Sequence, residues 1–272
     1  MTGRWNRLLP RAAVVLLIGL VAAGLSAQTT SGAAVRPRGE SAPLTVSTAV
    51  GALFTTSDGR IGQHFCTASV VASFYGNVLI TAAHCLAGIS FTAPDGVVFA
   101  PGYRDGRFPL GVWNVTSAFT TTNWTASRDP NDDVAFLIAS SPGRPPVQRV
   151  AGADVLGFNA SLPVRIEAVG YPDTASQPVA CSTLAQDVHP QGLRQVTFAC
   201  PGFTDGTSGG PLLSNVNPKT GCGTLIGVIG GYQQGGYTAA ISYSAQLAQR
   251  AAGLFQLATS PTRDPGHRND PA

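Results

Sequence analysis

Along most of this chain the apolar residues fall in short runs or alternate with polar ones, the two-residue period of β-strands. From Val46 onward VGALFTT, HFCTASVVAS, NVLITAAH, GVVFAPGY and VWNVTSAF are β-branched or aromatic runs broken by the turn formers SDG, YGN, PDG and RDG. After the proline-rich SPGRPP a second series follows: LPVRIEAVGY, GLRQVTFAC, PLLSN, TLIGVIGGY and YTAAISY. Two β halves are expected. Only the stretch from Ser244 to Ala258 has helix formers at helical spacing, with Leu247, Ala251, Leu254 and Leu257 on one face, and it predicts a closing helix.

The two ends read differently. Arg4, Arg7 and Arg11 precede an uncharged apolar run from Ala12 to Leu25, and Ser26 and Ala27 supply small residues for a signal peptidase. That run falls short of the roughly 20 residues that span a bilayer. A signal peptide is expected over 1–27 and a flexible leader over 28–43. A first β half then covers 44–146, a second with its helix 147–258, and a polar, disordered tail 259–272. The mature protein is expected outside the cell, free of the membrane and monomeric.

Composition agrees with this organisation. Of 272 residues 44% are hydrophobic and 11% charged, with 32 glycines and 20 prolines, a balance suited to many short strands and tight turns. The net charge of +3 comes from scattered arginines, so no basic face invites nucleic acid. Export makes disulfides possible for the five cysteines. Cys66 with Cys85 and Cys181 with Cys200 are the sequence-near pairs, leaving Cys222 over; Cys200 with Cys222 competes, because sequence does not fix connectivity.

The chemistry centres on DGTSGGP, Asp205 to Pro211. A serine hydroxyl becomes a useful nucleophile when an imidazole takes its proton and a carboxylate holds that imidazole. His84 ends the apolar strand VLITAA beside Cys85, whereas His64, His189 and His267 suit structural or surface roles. In NDDVAFLIAS, Asp133 opens the apolar run and suits the buried acid, while Asp132 suits the solvated turn.

Taken together, TAAHC, DVAFL and GTSGGP, in the order His, Asp, Ser, resemble the chymotrypsin-trypsin family of serine peptidases over about Val46 to Leu257. The likeness runs to short bacterial secreted members, including glutamate-specific ones. It implies an all-β fold of two six-stranded antiparallel barrels with a C-terminal helix and the site between them. It also implies His84 as general base, Asp133 as its orienting acid, Ser208 as nucleophile, and the N–H groups of Gly206 and Ser208 as oxyanion donors. The substrates would be proteins or peptides, with activity rising as the His84 imidazole loses its proton.

This chain departs from the family pattern in three places. Thr207 stands where most members carry the aspartate that receives a new N-terminal amine, and no IVGG-like start is visible, so the oxyanion loop must be held by local packing or by Asp205. Gly230 stands where many relatives carry a serine that supports the buried aspartate, leaving that support to backbone donors of Ala83 and His84. The specificity pocket implied by the resemblance, with Phe203, Thr204, Gly230, Gly231 and Tyr232, holds neither the carboxylate of Arg/Lys-specific members nor the histidine of glutamate-specific ones; Ile229 occupies that last place. A medium or large apolar side chain is the expectation. No metal or cofactor is expected. The alternatives are a catalytically silent homologue that binds proteins in the same cleft, and a non-proteolytic esterase or structural β protein.

Overall fold

The computed structural model describes residues 44–89, 91 and 96–260. The expected signal peptide and leader, and the tail from 261 on, lie outside them.

Six strands close into a barrel in the order β1-β2-β3-β6-β5-β4: β1 Val50–Ser57, β2 Arg60–Val71, β3 Val78–Thr81, β4 Gly96–Pro101, β5 Trp113–Thr120 and β6 Ala135–Ser140. Each pair is antiparallel, and one face of every strand turns inward. Leu53, Leu79, Phe99, Trp113 and Leu137 fill the interior, all fully buried. Two short helices interrupt the strand pattern, α1 Thr122–Ser127 and α2 Val147–Ala151. The first is capped by the Thr121 hydroxyl, which accepts from Trp124 N–H.

The second half is a sheet of seven strands in the order β13-β10-β9-β8-β11-β12-β7. These are β7 Val155–Leu156, β8 Val164–Gly170, β9 Val179–Val188, β10 Gln195–Ala199, β11 Pro211–Ser214, β12 Thr224–Val228 and β13 Ile241–Ala245. The sheet curls around Ile166, Val196, Phe198, Leu212, Ile226 and Ile229 without pairing its two edge strands, so the all-β, chymotrypsin-like architecture holds with one closed barrel and one half-barrel.

The closing helix, α3, runs from Gln249 to Thr259, later than the expected Ser244–Ala258. Ser244 and Ala245 instead pair with β10 as strand β13, and both are fully buried there. Ala251 and Leu254 face the core, whereas Leu257 is 45% exposed and Leu247 packs from ahead of the helix. A shared cluster joins the halves: Val71, Val78, Ile80, Val134 and Phe136 from the barrel meet Leu213, Leu225, Val228, Leu247, Ala251 and Leu254. Cys66–Cys85 and Cys181–Cys200 are the two disulfides, and Cys222 is a free thiol with its Sγ 3.0 Å from Ser47 Oγ.

Candidate active site

Strand pairing brings His84 and Asp133 together. Thr81, the last residue of β3, pairs with Ala135, the first of β6. His84 lies three residues beyond the one, in a 3-10 turn over Ala83–Leu86, and Asp133 two residues before the other. Both therefore emerge at the same end of the barrel, and the Cys66–Cys85 bridge ties the histidine's neighbour back to β2.

Asp133 is fully buried, and three donors converge on it. His84 N–H donates to Oδ1 at 2.8 Å, His84 Nδ1 to Oδ2 at 2.7 Å, and Gly231 N–H to Oδ2 at 2.7 Å. A carboxylate accepts, so Nδ1 carries the hydrogen and Nε2 keeps its lone pair. The backbone donors are thus His84 and Gly231; Ala83, expected as one, is not among them. At Gly230 a Cβ would lie 2.9 Å from Asp133 Oδ2 and 3.1 Å from Ala82 Cβ, so a side chain there would crowd the carboxylate.

Asp132 is buried too, where a solvated turn was expected. Its Oδ1 accepts from Arg250 Nε at 2.7 Å, a bond that raises the arginine's pKa. The loop end therefore holds two buried acids with separate partners. Gln195, which the sequence did not single out, ties this loop to the opposite wall. Its Oε1 accepts from Tyr232 N–H at 2.8 Å, and its Nε2 donates to Asn131 Oδ1 at 3.1 Å.

Ser208 precedes β11 by three residues and is partly exposed. Its carbonyl accepts from Thr67 N–H on β2 at 2.8 Å. Gly209, at φ +80°, sits so close to Thr81 Oγ1 and the Thr67 carbonyl that a Cβ would collide with both, and Ala82 N would lie 3.0 Å away. The serine loop is thereby seated on the barrel end that carries His84. Gly206 is at φ +88°, a region open to glycine, and a Cβ there would strike the backbone of Tyr171 and Asp173. Thr207, Gly209 and Gly210 donate their N–H groups to the carbonyls of Thr204, Ile229 and Thr207. Among the described residues the N–H groups of Gly206 and Ser208 make no such bond. The Asp205 side chain is exposed, and it is its carbonyl that is engaged, by Asp173 N–H at 2.8 Å.

Beside Ser208 lies a cavity of about 220 Å³. Phe203, Thr204, Thr207, Ile229, Gln234, Tyr237, Thr238 and Ser242 are among its walls. Phe203 and Thr204 are where the sequence placed them, but Gly230, Gly231 and Tyr232 are not part of this lining; Tyr232 instead packs edge-on against Tyr243. The walls are largely hydroxyl and amide, and Asp205 at the exposed rim is the one carboxylate among them. His64 is buried, and its Nε2 donates to the Pro172 carbonyl at 2.8 Å, a structural role.

A third buried acid drew no attention in the sequence. Asp154, in the connection between the halves, accepts from Ser69 Oγ at 2.5 Å and from Gly223 N–H at 2.9 Å. Burial pushes its pKa up to about 6, against the lowering effect of those two bonds.

A barrel and a curled sheet meeting at such a junction define the chymotrypsin-like class of folds. The sequence profile described as Trypsin matches residues 36–249, and the chain belongs to that family. Among solved structures it is similar to the protease Anisep from Arthrobacter nicotinovorans, with a TM-score of 0.66 and 23% identity over 79% of this chain and 97% of that one. It is also similar to the thermostable serine protease AL20 from an extremophilic microorganism, with a TM-score of 0.65 and 24% identity over 79% and 99%. A Glu endopeptidase aligns with a TM-score of 0.57 and 15% identity over 79% and 92%. No curated protein matches by sequence.

Proposed function

We propose that this chain is a secreted serine endopeptidase acting through Ser208, His84 and Asp133. In this reading residues 1–27 direct export, 28–43 form a leader, and the two β halves, 44–146 and 147–258, enclose the cleft. His84 Nε2 takes the Ser208 proton as the hydroxyl attacks a peptide carbonyl, then returns it to the leaving amine. Water hydrolyses the acyl-enzyme by the same route in reverse. Asp133 holds the tautomer and stabilises the imidazolium, and the N–H groups of Gly206 and Ser208 receive the oxyanion.

The observation that carries the reading is the pairing of a fully buried Asp133 with His84 Nδ1 at the barrel end on which the serine loop is seated. Membership of the trypsin family supports it independently. The cavity beside Ser208, with hydroxyl and amide walls and Asp205 only at its exposed rim, supports an uncharged side chain before the scissile bond, polar ones as well as the apolar ones expected from sequence.

The test is labelling of the secreted protein with a fluorophosphonate, with Ser208→Ala as control, together with release of fragments from labelled casein. Labelling confined to the wild type, with casein cleavage, supports the endopeptidase. A folded wild type that takes no label overturns it in favour of a silent binding homologue, and label without cleavage favours an esterase. N-terminal sequencing of the secreted form checks the leader.

A further inference from the structure

The loop that carries Ser208 lacks the aspartate that anchors it in most relatives, yet its peptide planes are all held. The carbonyl of Asp205 accepts from Asp173 N–H at 2.8 Å, that of Gly206 from Thr67 Oγ1 at 3.0 Å, that of Thr207 from Gly210 N–H at 2.9 Å, and that of Ser208 from Thr67 N–H at 2.8 Å. Because a peptide unit is planar, fixing a carbonyl also fixes the direction of the N–H on the following residue. The Asp205 and Thr207 carbonyls therefore aim the two N–H groups that make no bond of their own, those of Gly206 and Ser208. The planes between and beyond them, at Gly206 and Ser208, both rest on one residue of the other half.

That residue is Thr67, fully buried on β2. Its hydroxyl donates its one hydrogen to Gly206 and accepts from Tyr171 N–H at 2.8 Å, which in turn places the 171–173 shelf under Gly206. Its carbonyl accepts from Thr81 Oγ1 at 2.7 Å, fixing Thr67 itself to the strand that leads to His84. The remaining hydroxyl of the loop, Thr207 Oγ1, turns inward to the Thr204 carbonyl at 2.6 Å and reaches nothing outside the loop.

We infer that the Thr67 hydroxyl is the positioning group for the oxyanion donors, a clamp from the first half that replaces a charged anchor with two neutral hydrogen bonds. The inference rests on the peptidase reading above. Thr67 touches no substrate; it acts through the Gly206 carbonyl and the Tyr171 amide. The clamp carries no charge, so its grip does not depend on a freed N-terminal amine.

The experiment compares wild type, Thr67→Val and Thr67→Ser in acylation by p-nitrophenyl acetate, whose acetyl group asks nothing of the specificity cavity, and in inhibition by phenylboronic acid, which forms a tetrahedral adduct at an active serine. Thr67→Val is expected to lower the acylation rate and the boronate affinity together by about tenfold or more, as a misdirected oxyanion donor does, with the pH midpoint of acylation unmoved, and Thr67→Ser to restore both. An unchanged rate in Thr67→Val, or a lowered rate with boronate affinity intact, overturns the clamp. Should Thr67→Val not fold, amide exchange in the wild type decides. Tyr171 N–H is expected to exchange slowly while Gly206 and Ser208 exchange fast until phenylboronic acid binds, and fast exchange at Tyr171 overturns the inference. A wild type that reacts with neither reagent nor fluorophosphonate removes the peptidase reading itself, a result distinct from a reactive wild type with an unaffected Thr67→Val.

Discussion

Gly231 N–H and His84 Nδ1 both donate to the same oxygen of Asp133, each at 2.7 Å. One half of the molecule thus supplies the acid and the imidazole, and the other a backbone donor that fixes the acid's rotation. Asp133→Asn presents an amide where a carboxylate oxygen accepts two hydrogens, so the imidazole turns to the wrong tautomer. The expected outcome is a loss of kcat on the order of 10⁴ with KM retained, measured on a peptide substrate cleaved by the wild type.

Gly230 faces the same carboxylate. A methyl group there would press on Asp133 Oδ2 and Ala82 Cβ, and the carboxylate is the softer of the two. Gly230→Ala should displace Asp133 and lower kcat by roughly tenfold or more, because small misplacements of catalytic groups carry rate penalties of that order. An Ala variant as active as wild type would show that the carboxylate has slack that the contacts do not suggest.

Asp154 gives a pH signature. Its folded pKa of about 6 lies above the ordinary 3.8, so the native state holds its proton more tightly than the unfolded chain does. Below about pH 3 both states are protonated and the group costs nothing. As pH rises from about 4 to 6 the unfolded chain ionises first and stability falls, and above 6 the cost levels off at about 2–3 kcal/mol. Asp154→Asn removes the charge, its Oδ1 still accepting from Gly223 N–H and its Nδ2 donating to Ser69 Oγ, whose hydrogen can turn to the Val70 carbonyl. Its melting temperature should match that of the wild type near pH 3 and exceed it at pH 7; parallel curves across that range would refute the assignment.

The Cys66–Cys85 bridge closes a separation of 19 residues beside His84. Replacing both cysteines by alanine should lower unfolding free energy by about 3 kcal/mol on the chain-entropy estimate, read by guanidinium denaturation. Because the bridge holds the histidine's turn against β2, activity should fall at a lower temperature than global unfolding in the double variant.

Legibility in the sequence tracked how local each signal was. His84, Asp133 and Ser208 sit at ends of apolar runs or in a glycine-rich turn, and such patterns mark both the element and its boundary. The sequence-near cystines were legible for the same reason. Strand β9, Val179–Val188, escaped because its run holds Ser, Gln and Asp and most of its side chains are only partly buried, so no inward face shows in its pattern. The helix began late because Ser244 and Ala245 are equally good in a buried strand, and pairing with β10 decides the matter over a long range. Thr67, Gln195 and Asp154 were not legible. Their partners lie 139, 37 and 85 residues away in sequence, and nothing in a threonine, a glutamine or an aspartate announces such a bond. The cavity walls split the same way: Phe203 and Thr204 adjoin the serine, while Gln234, between β12 and β13, and Ser242, on β13, reach the cavity only through the path of the chain.

The placement of α3 bears on how the molecule is made. Phe255 packs at a tilt against Phe136 with ring centroids 5.3 Å apart, and Ala251 and Leu254 share a cluster with Val78 and Ile80 of β3 and with Val134, beside Asp133. The outer wall of the barrel, formed by the earlier strands, is therefore closed by a helix that follows the whole second half in sequence. A nascent chain has to extend past α3 before that wall is sealed, so the first barrel is not completed ahead of the second half.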